Sequence, residues 1–212
     1  MSLLSLNLLS LPTLPFEEVA NHIDFQHLDQ LTGVRVDLRY ASERNFLGRN
    51  LYHPMDCRYL HRIAATALAQ AAAWLVNAAP GYCLLVLDAL RPQRIQEQMW
   101  AALQGTDLLM YLADPARGSI HSYGMAVDVT LLDALGNEVD MGTGFDAMVV
   151  TSHTDNEAQS VASGVLTETQ LKHRLLLREA MQFAGYRSIS TEWWHFDYDD
   201  RAQVRSTMAR VI

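Results

Sequence analysis

Apolar and polar residues alternate over residues 34–40 (Val-Arg-Val-Asp-Leu-Arg-Tyr), the period of a half-buried strand. Gly48 and the stretch from Asn50 to Pro54 interrupt that pattern and read as loop. From Tyr59 to Ala78 alanine dominates, with Leu, Ile, Trp74 and Val76 between, and Pro80-Gly81 follows. This predicts a long helix with a firm stop. Tyr82 to Leu87 is continuously apolar and suits a buried strand, after which Pro92 opens a second helix running to about Leu103. Residues 104–120, punctuated by Gly105, Asp114-Pro115 and Gly118, predict loop with at most a short turn. Ala126 to Leu132 predicts a strand, which Gly136-Asn137 turns back toward Val139-Asp140-Met141.

Residues 151–165 are polar and predict an exposed loop. Thr167 and Gln170 form a capping box ahead of a helix that ends near Phe183, with Gly185 as its stop. Tyr186 to Ile189 and Trp193 to Tyr198 predict a closing pair of strands. Because strands and helices do not alternate regularly, the pattern favours an α+β fold with a central, largely antiparallel sheet flanked by helices. A chain of 212 residues suits a single such domain. The expected division is an N-terminal arm over 1–33, packed on a domain over 34–212.

Composition narrows the function. The net charge is −8 and no basic run occurs, which argues against nucleic acid as a partner. The leucine-rich start, Met1-Ser-Leu-Leu-Ser-Leu-Asn-Leu-Leu-Ser-Leu-Pro12, has no Lys or Arg before Arg35, and Ser and Asn break its apolar run. It therefore lacks the features of a secretory signal and the length of a membrane span. A cytoplasmic location is the default expectation, with the periplasm as alternative. Cys57 and Cys83 form no CxxC unit and read either as two thiols or, in an oxidising compartment, as a disulfide.

The chemistry concentrates in two stretches. The first is Ser119-Ile-His121-Ser-Tyr-Gly124-Met-Ala-Val-Asp128, and the second is Glu192-Trp-Trp-His195-Phe196. On a straight strand His121 and Asp128 would stand roughly 23 Å apart on opposite faces, so a shared ion requires the chain to reverse between them. Gly124 can supply that reversal, since glycine takes positive φ without a Cβ clash. A carboxylate set among valines needs a partner in any case. Glu192 and His195, three apart, face one pocket only if their segment bends. With that bend, His121, Asp128 and His195 become three ligands of a zinc ion, and Glu192 a base for the water it activates. Trp193 and Trp194 would furnish apolar walls. His153, in a polar loop, is the rival ligand; His22, His27, His53, His61 and His173 read as structural or surface residues.

These motifs resemble those of the zinc D-Ala-D-Ala metallopeptidases, in particular the D-alanyl-D-alanine dipeptidases of the vancomycin-resistance type. The resemblance extends to Asp37-Leu-Arg-Tyr40-Ala-Ser-Glu-Arg-Asn45-Phe46-x-Gly48, to Asp88-Ala-Leu-Arg91-Pro92 and to Met141-Gly-Thr-Gly-Phe145-Asp146, in order along nearly the whole chain. It implies a Hedgehog/DD-peptidase-like fold, one zinc per chain on His121, Asp128 and His195, and Glu192 as catalytic base. It also implies that Arg91 stabilises the oxyanion; Asp88, three residues earlier, can orient that guanidinium by a bidentate pair. Ser119 and Asp146 would hold the substrate's ends, the aspartate meeting the free amine, while Tyr40 lines the pocket. The implied substrate is a small D-dipeptide. A D,D-carboxypeptidase or endopeptidase acting on peptidoglycan stem peptides is the alternative, and a non-catalytic zinc domain is the rival from another class. The segment between Leu103 and Ser119 departs from the resistance-type pattern, which bears on the breadth of dipeptide preference. Oligomeric state is not legible.

Overall fold

The computed structural model describes residues 12–212; the leucine-rich start of the expected arm lies outside the described residues. Strand β1 (Thr13–Leu14) is followed by a 3-10 turn, then by β2 (Phe25–His27) and β3 (Val34–Val36). Strand β4 (Tyr59–His61) leads directly into helix α1 (Arg62–Ala78), and β5 (Cys83–Asp88) into α2 (Gln93–Leu103). After a long connection come β6 (Ala126–Leu132), α3 (Glu157–Ala162) and α4 (Glu168–Phe183). The chain closes with β7 (Tyr186–Ser188), β8 (His195–Tyr198), α5 (Arg201–Thr207) and β9 (Arg210–Val211).

Five strands form the central sheet in the order β3-β5-β6-β8-β7. Every pairing is antiparallel except β3 with β5, which is parallel, so the fold is α+β with a largely antiparallel sheet. Helices α1 and α4 pack on each other and on β5, β6 and β7. The alanines explain the closeness of α1: Ala64, Ala65, Ala67, Ala71 and Ala72 are buried with Leu68 and Leu75 along one stripe. From β7 the Tyr186 hydroxyl donates to the Ala64 carbonyl (2.8 Å). The capping box on Thr167 and Gln170 is formed as the sequence pattern requires. The first and last described strands, β1 and β9, pair in parallel and seal a small second core of Leu14, Val19, Phe25, Leu90 and Val211.

Several boundaries differ from the sequence reading, each for a physical reason. Residues Tyr59–His61 are strand rather than helix, because Leu60 is buried between half-exposed neighbours, the period of a strand, and pairs with β2. The strand expected over 34–40 stops at Val36, where the chain turns into a 3-10 segment (Arg39–Ala41) that buries Arg39 and Tyr40. The return toward Val139 makes one isolated bridge, Leu132 to Glu138, and no strand. The polar stretch 151–165 is not an exposed loop throughout. It contains α3, whose buried Glu157 accepts hydrogen bonds from Arg178 (2.8 and 2.9 Å) on α4. Cys57 and Cys83 are both free thiols.

Candidate metal centre

His121 sits in a 3-10 turn (Ile120–Tyr123) that Gly124 ends at φ 64°. A side chain at that position could not be accommodated: a Cβ would stand 2.7 Å from the His61 nitrogen and 2.9 Å from the Phe25 ring. The turn delivers the chain into β6, where Asp128 pairs with His195 of β8 on one side and with Asp88 of β5 on the other. A bulge at Leu87 shifts the β5–β6 register between Val86 and Asp88, and this brings Asp88 onto the rung of Asp128. Asp88, Asp128 and His195 thus form one row across three strands. Residues 192–194 precede β8, so Glu192 escapes the strand's alternation and faces the same cavity as His195.

The donor atoms converge. His195 Nδ1 is 3.0 Å from Asp128 Oδ1 and 3.2 Å from His121 Nε2, and His121 Nε2 is 3.4 Å from Asp128 Oδ1. A tetrahedral ion with bonds of about 2.0–2.1 Å has ligand–ligand edges of about 3.3–3.4 Å, so these separations fit a single ion. Each imidazole is also held by its far nitrogen. His121 Nδ1 lies 2.8 Å from the Ala89 carbonyl, which accepts its proton and leaves Nε2 as a lone pair. His195 Nε2 lies 2.9 Å from Asp197 Oδ1, and Asp197 in turn accepts from Arg201 Nε (2.5 Å). Among the described residues these three side chains form the one such group. His153, the rival ligand, is elsewhere, its Nε2 3.0 Å from the Tyr111 hydroxyl. His27 pairs with Asp56 (3.1 Å) in an exposed setting.

The electrostatics are those of a buried charged cluster. Burial opposes ionisation of Asp128, yet the two histidines hold its carboxyl far below the usual range. Burial likewise opposes charge on His195, but Asp197 and Asp128 outweigh it and raise the imidazole to about 10. Glu192 is pushed up to about 7, chiefly by burial. Asp146 is pushed up to about 8, again chiefly by burial.

Arg91 lies under the site. Its Nε and Nη2 both donate to Asp88 Oδ2 (2.9 and 2.6 Å), and Nη1 donates to Gln96 Oε1 (3.1 Å). The expected bidentate fork is therefore absent: one oxygen of Asp88 takes both bonds because the other accepts from the Tyr52 hydroxyl (2.5 Å). Asp88 is wholly buried and does not line the cavity, so it touches Arg91 rather than a ligand. Tyr40 does line it, beneath the Arg91 guanidinium (5.1 Å to the ring centre), and donates to Asp146 Oδ1 (2.8 Å). Asp146 itself stands behind Tyr40 with φ 60°, and its buried Oδ2 has no partner among the described residues. Ser119 lines the cavity. Trp193 and Trp194 do not; both are buried behind it, Trp193 donating to Thr143 (2.8 Å) and Trp194 packing on Phe145. The cavity, of about 180 Å³, is completed by Met110 to Ala113 and by Arg117, Arg201 and Arg205. That volume is below the range of drug-sized ligand sites and on the scale of a dipeptide.

A family model described as D-ala-D-ala dipeptidase, within the peptidases of family M15, matches residues 21–212. The chain belongs to this family. Among its relatives, a D-alanyl-D-alanine dipeptidase of Escherichia coli is 37% identical over 169 residues, covering 80% of this chain and 81% of the relative. Another of that name, from Enterococcus faecalis, is 34% identical over 197 residues, covering 83% of this chain and 92% of the relative. As a family member it is a peptidase whose His/Asp/His group can hold a metal ion.

Sequence reasoning did not single out Asp197, Tyr52 or Gln96. Asp197 carries a usable signal, since a carboxylate two residues beyond a strand histidine shares its face. Tyr52 and Gln96 lie in a loop and on a helix with nothing local to mark them.

Proposed function

We propose that this protein is a zinc-dependent dipeptidase that hydrolyses D-alanyl-D-alanine and related D-dipeptides to free amino acids. The observation that carries the reading is the convergence of His121 Nε2, His195 Nδ1 and Asp128 Oδ1 beside a half-buried glutamate that lines the cavity. The relatives' names supply the substrate. Zinc bound there would act as a Lewis acid and bring the ionisation of water into the neutral range.

Glu192 is the proton carrier. A carboxyl pushed up to about 7 takes a proton from the attacking water and returns it to the departing amine without a large mismatch at either step. Arg91 meets the charge that develops on the carbonyl oxygen. Its bonds to Asp88 and Gln96 fix the guanidinium, whose Nη2 also stands 3.5 Å from Asp128 Oδ2, while one donor on Nη1 stays uncommitted. The substrate's ammonium would satisfy the unpartnered oxygen of Asp146, which ionises once that counter-charge arrives. The small cavity favours a free dipeptide over an acylated stem peptide.

The test joins a zinc assay to D-alanine release, with and without chelator. Removing the metal should abolish hydrolysis, and zinc should restore it. Glu192→Gln should lower kcat about 100- to 10,000-fold with zinc still bound, whereas His121→Ala should lose the metal. A Glu192→Gln enzyme with near wild-type turnover, or faster cleavage of N-acetyl-D-alanyl-D-alanine than of the free dipeptide, would refute the reading.

A further inference from the structure

The cavity wall formed by Met110, Tyr111, Leu112 and Ala113 is thinly held. It continues from a 3-10 segment (Asp107–Tyr111) in which no residue is buried, and Met110 is 70% exposed. Helix α2 supports only the far end of this segment. Gln96 Nε2 donates to the Ala113 carbonyl (2.7 Å) and Gln93 Nε2 to the Pro115 carbonyl (2.9 Å). Among the described residues, one side-chain hydrogen bond ties residues 107–112 to another part of the fold. It joins the Tyr111 hydroxyl and His153 Nε2, 3.0 Å apart. The two rings also meet edge to face, 5.7 Å between centres.

His153 is the firm side of this pair, because its loop is anchored on both flanks. On one, buried Arg174 of α4 donates to the Thr151 carbonyl (2.9 Å), and the buried Ser152 hydroxyl to the Ala147 carbonyl (2.6 Å). On the other, Thr154 donates through its backbone N–H to the Ser190 carbonyl (2.8 Å) and through its hydroxyl to the Ile189 carbonyl (3.0 Å). Ile189, Thr191 and Glu192 line the cavity themselves, whereas His153 does not. The Tyr111–His153 bond therefore joins, from outside the cavity, two of its walls that are far apart in sequence.

We propose that Tyr111 and His153 form a clasp that closes the cavity at the length of a dipeptide, which makes Tyr111 a determinant of substrate size. The inference rests on the dipeptidase reading and deepens it. A longer substrate must push aside residues 107–113 and so break the hydrogen bond and the ring contact, while a dipeptide leaves both intact. The clasp thus opposes only the longer substrate, and that difference is selectivity rather than general support.

The test compares D-alanyl-D-alanine with D-alanyl-D-alanyl-D-alanine on the zinc-loaded enzyme, since the tripeptide keeps the free amine and the first peptide bond and adds only length. Tyr111→Phe keeps the ring and loses the hydroxyl. It should raise kcat/KM for the tripeptide relative to the dipeptide about 3- to 10-fold, the effect of one hydrogen bond. His153→Phe should raise that ratio equally, and the double variant should add little more, because either change removes the same bond. Both side chains are half-buried and each variant keeps an aromatic ring, so the fold is not at stake. An unchanged ratio in the two single variants, or fully additive effects in the double one, would overturn the clasp. Calorimetric binding of both peptides to the Glu192→Gln protein reads the same ratio without turnover: adding Tyr111→Phe should narrow the preference for the dipeptide, and an unaltered preference overturns the proposal. If the wild type hydrolysed neither peptide while Tyr111→Phe still narrowed that preference, the dipeptidase reading would fall and the clasp would stand.

Discussion

His195 offers one ring nitrogen to the metal group and the other to Asp197, and its sequence spacing to that aspartate makes both possible on one strand face. Replacing Asp197 by Asn should loosen the imaging of Nδ1 onto the site and weaken zinc affinity about 10- to 100-fold, as read by competition with a chromophoric chelator. Asp146 makes a different prediction. Its folded pKa, about 8, lies above that of an unfolded aspartate, so the native state keeps a proton the unfolded chain releases. The stability this provides is full below the unfolded value and is lost as pH rises through about 8. Asp146→Asn should therefore raise Tm at about pH 9 and leave it little changed at about pH 4, in thermal unfolding of the substrate-free protein. At this scale the motifs disclosed the residue types but not their tiers. Asp88 and Asp128 look alike in sequence, yet the first is taken up by Arg91 and Tyr52 while the second joins His121 and His195, because a bulge and a tyrosine hydroxyl decide where each oxygen goes.

Elements carry the site by how they end. The 3-10 turn at Ile120–Tyr123 stops on Gly124, and that stop separates His121 from the strand that holds Asp128. Gly124→Ala should cost at least about 1–2 kcal/mol from the left-handed backbone alone, and more from contact with the His61 nitrogen, measured by denaturant unfolding. Helices α1, α2 and α4 and strands β5 and β6 were legible because each has a clear period with a proline, glycine or capping box at its boundary. What escaped the pattern was settled by distant partners. Tyr59–His61 is claimed by β2, and α3 is tied down through Glu157 and Arg178, neither of which a local window can register.

Across the whole molecule, no described helix is long and apolar enough to cross a membrane. The first and last described strands meet in the β1–β9 pair, remote in sequence and adjacent in space. The central strands are joined crosswise by Asp88, Asp128 and His195, one residue from each of β5, β6 and β8. An ion seated on that row would rivet β6 to β8 at mid-sheet, so its loading should slow amide hydrogen exchange in these two strands far more than in β7, which lies outside the rivet. Catalytic readiness and the mechanical integrity of the sheet's centre would then be lost together on demetallation, and a shift of β8 by a single residue would turn His195 to the helical side and erase the centre altogether.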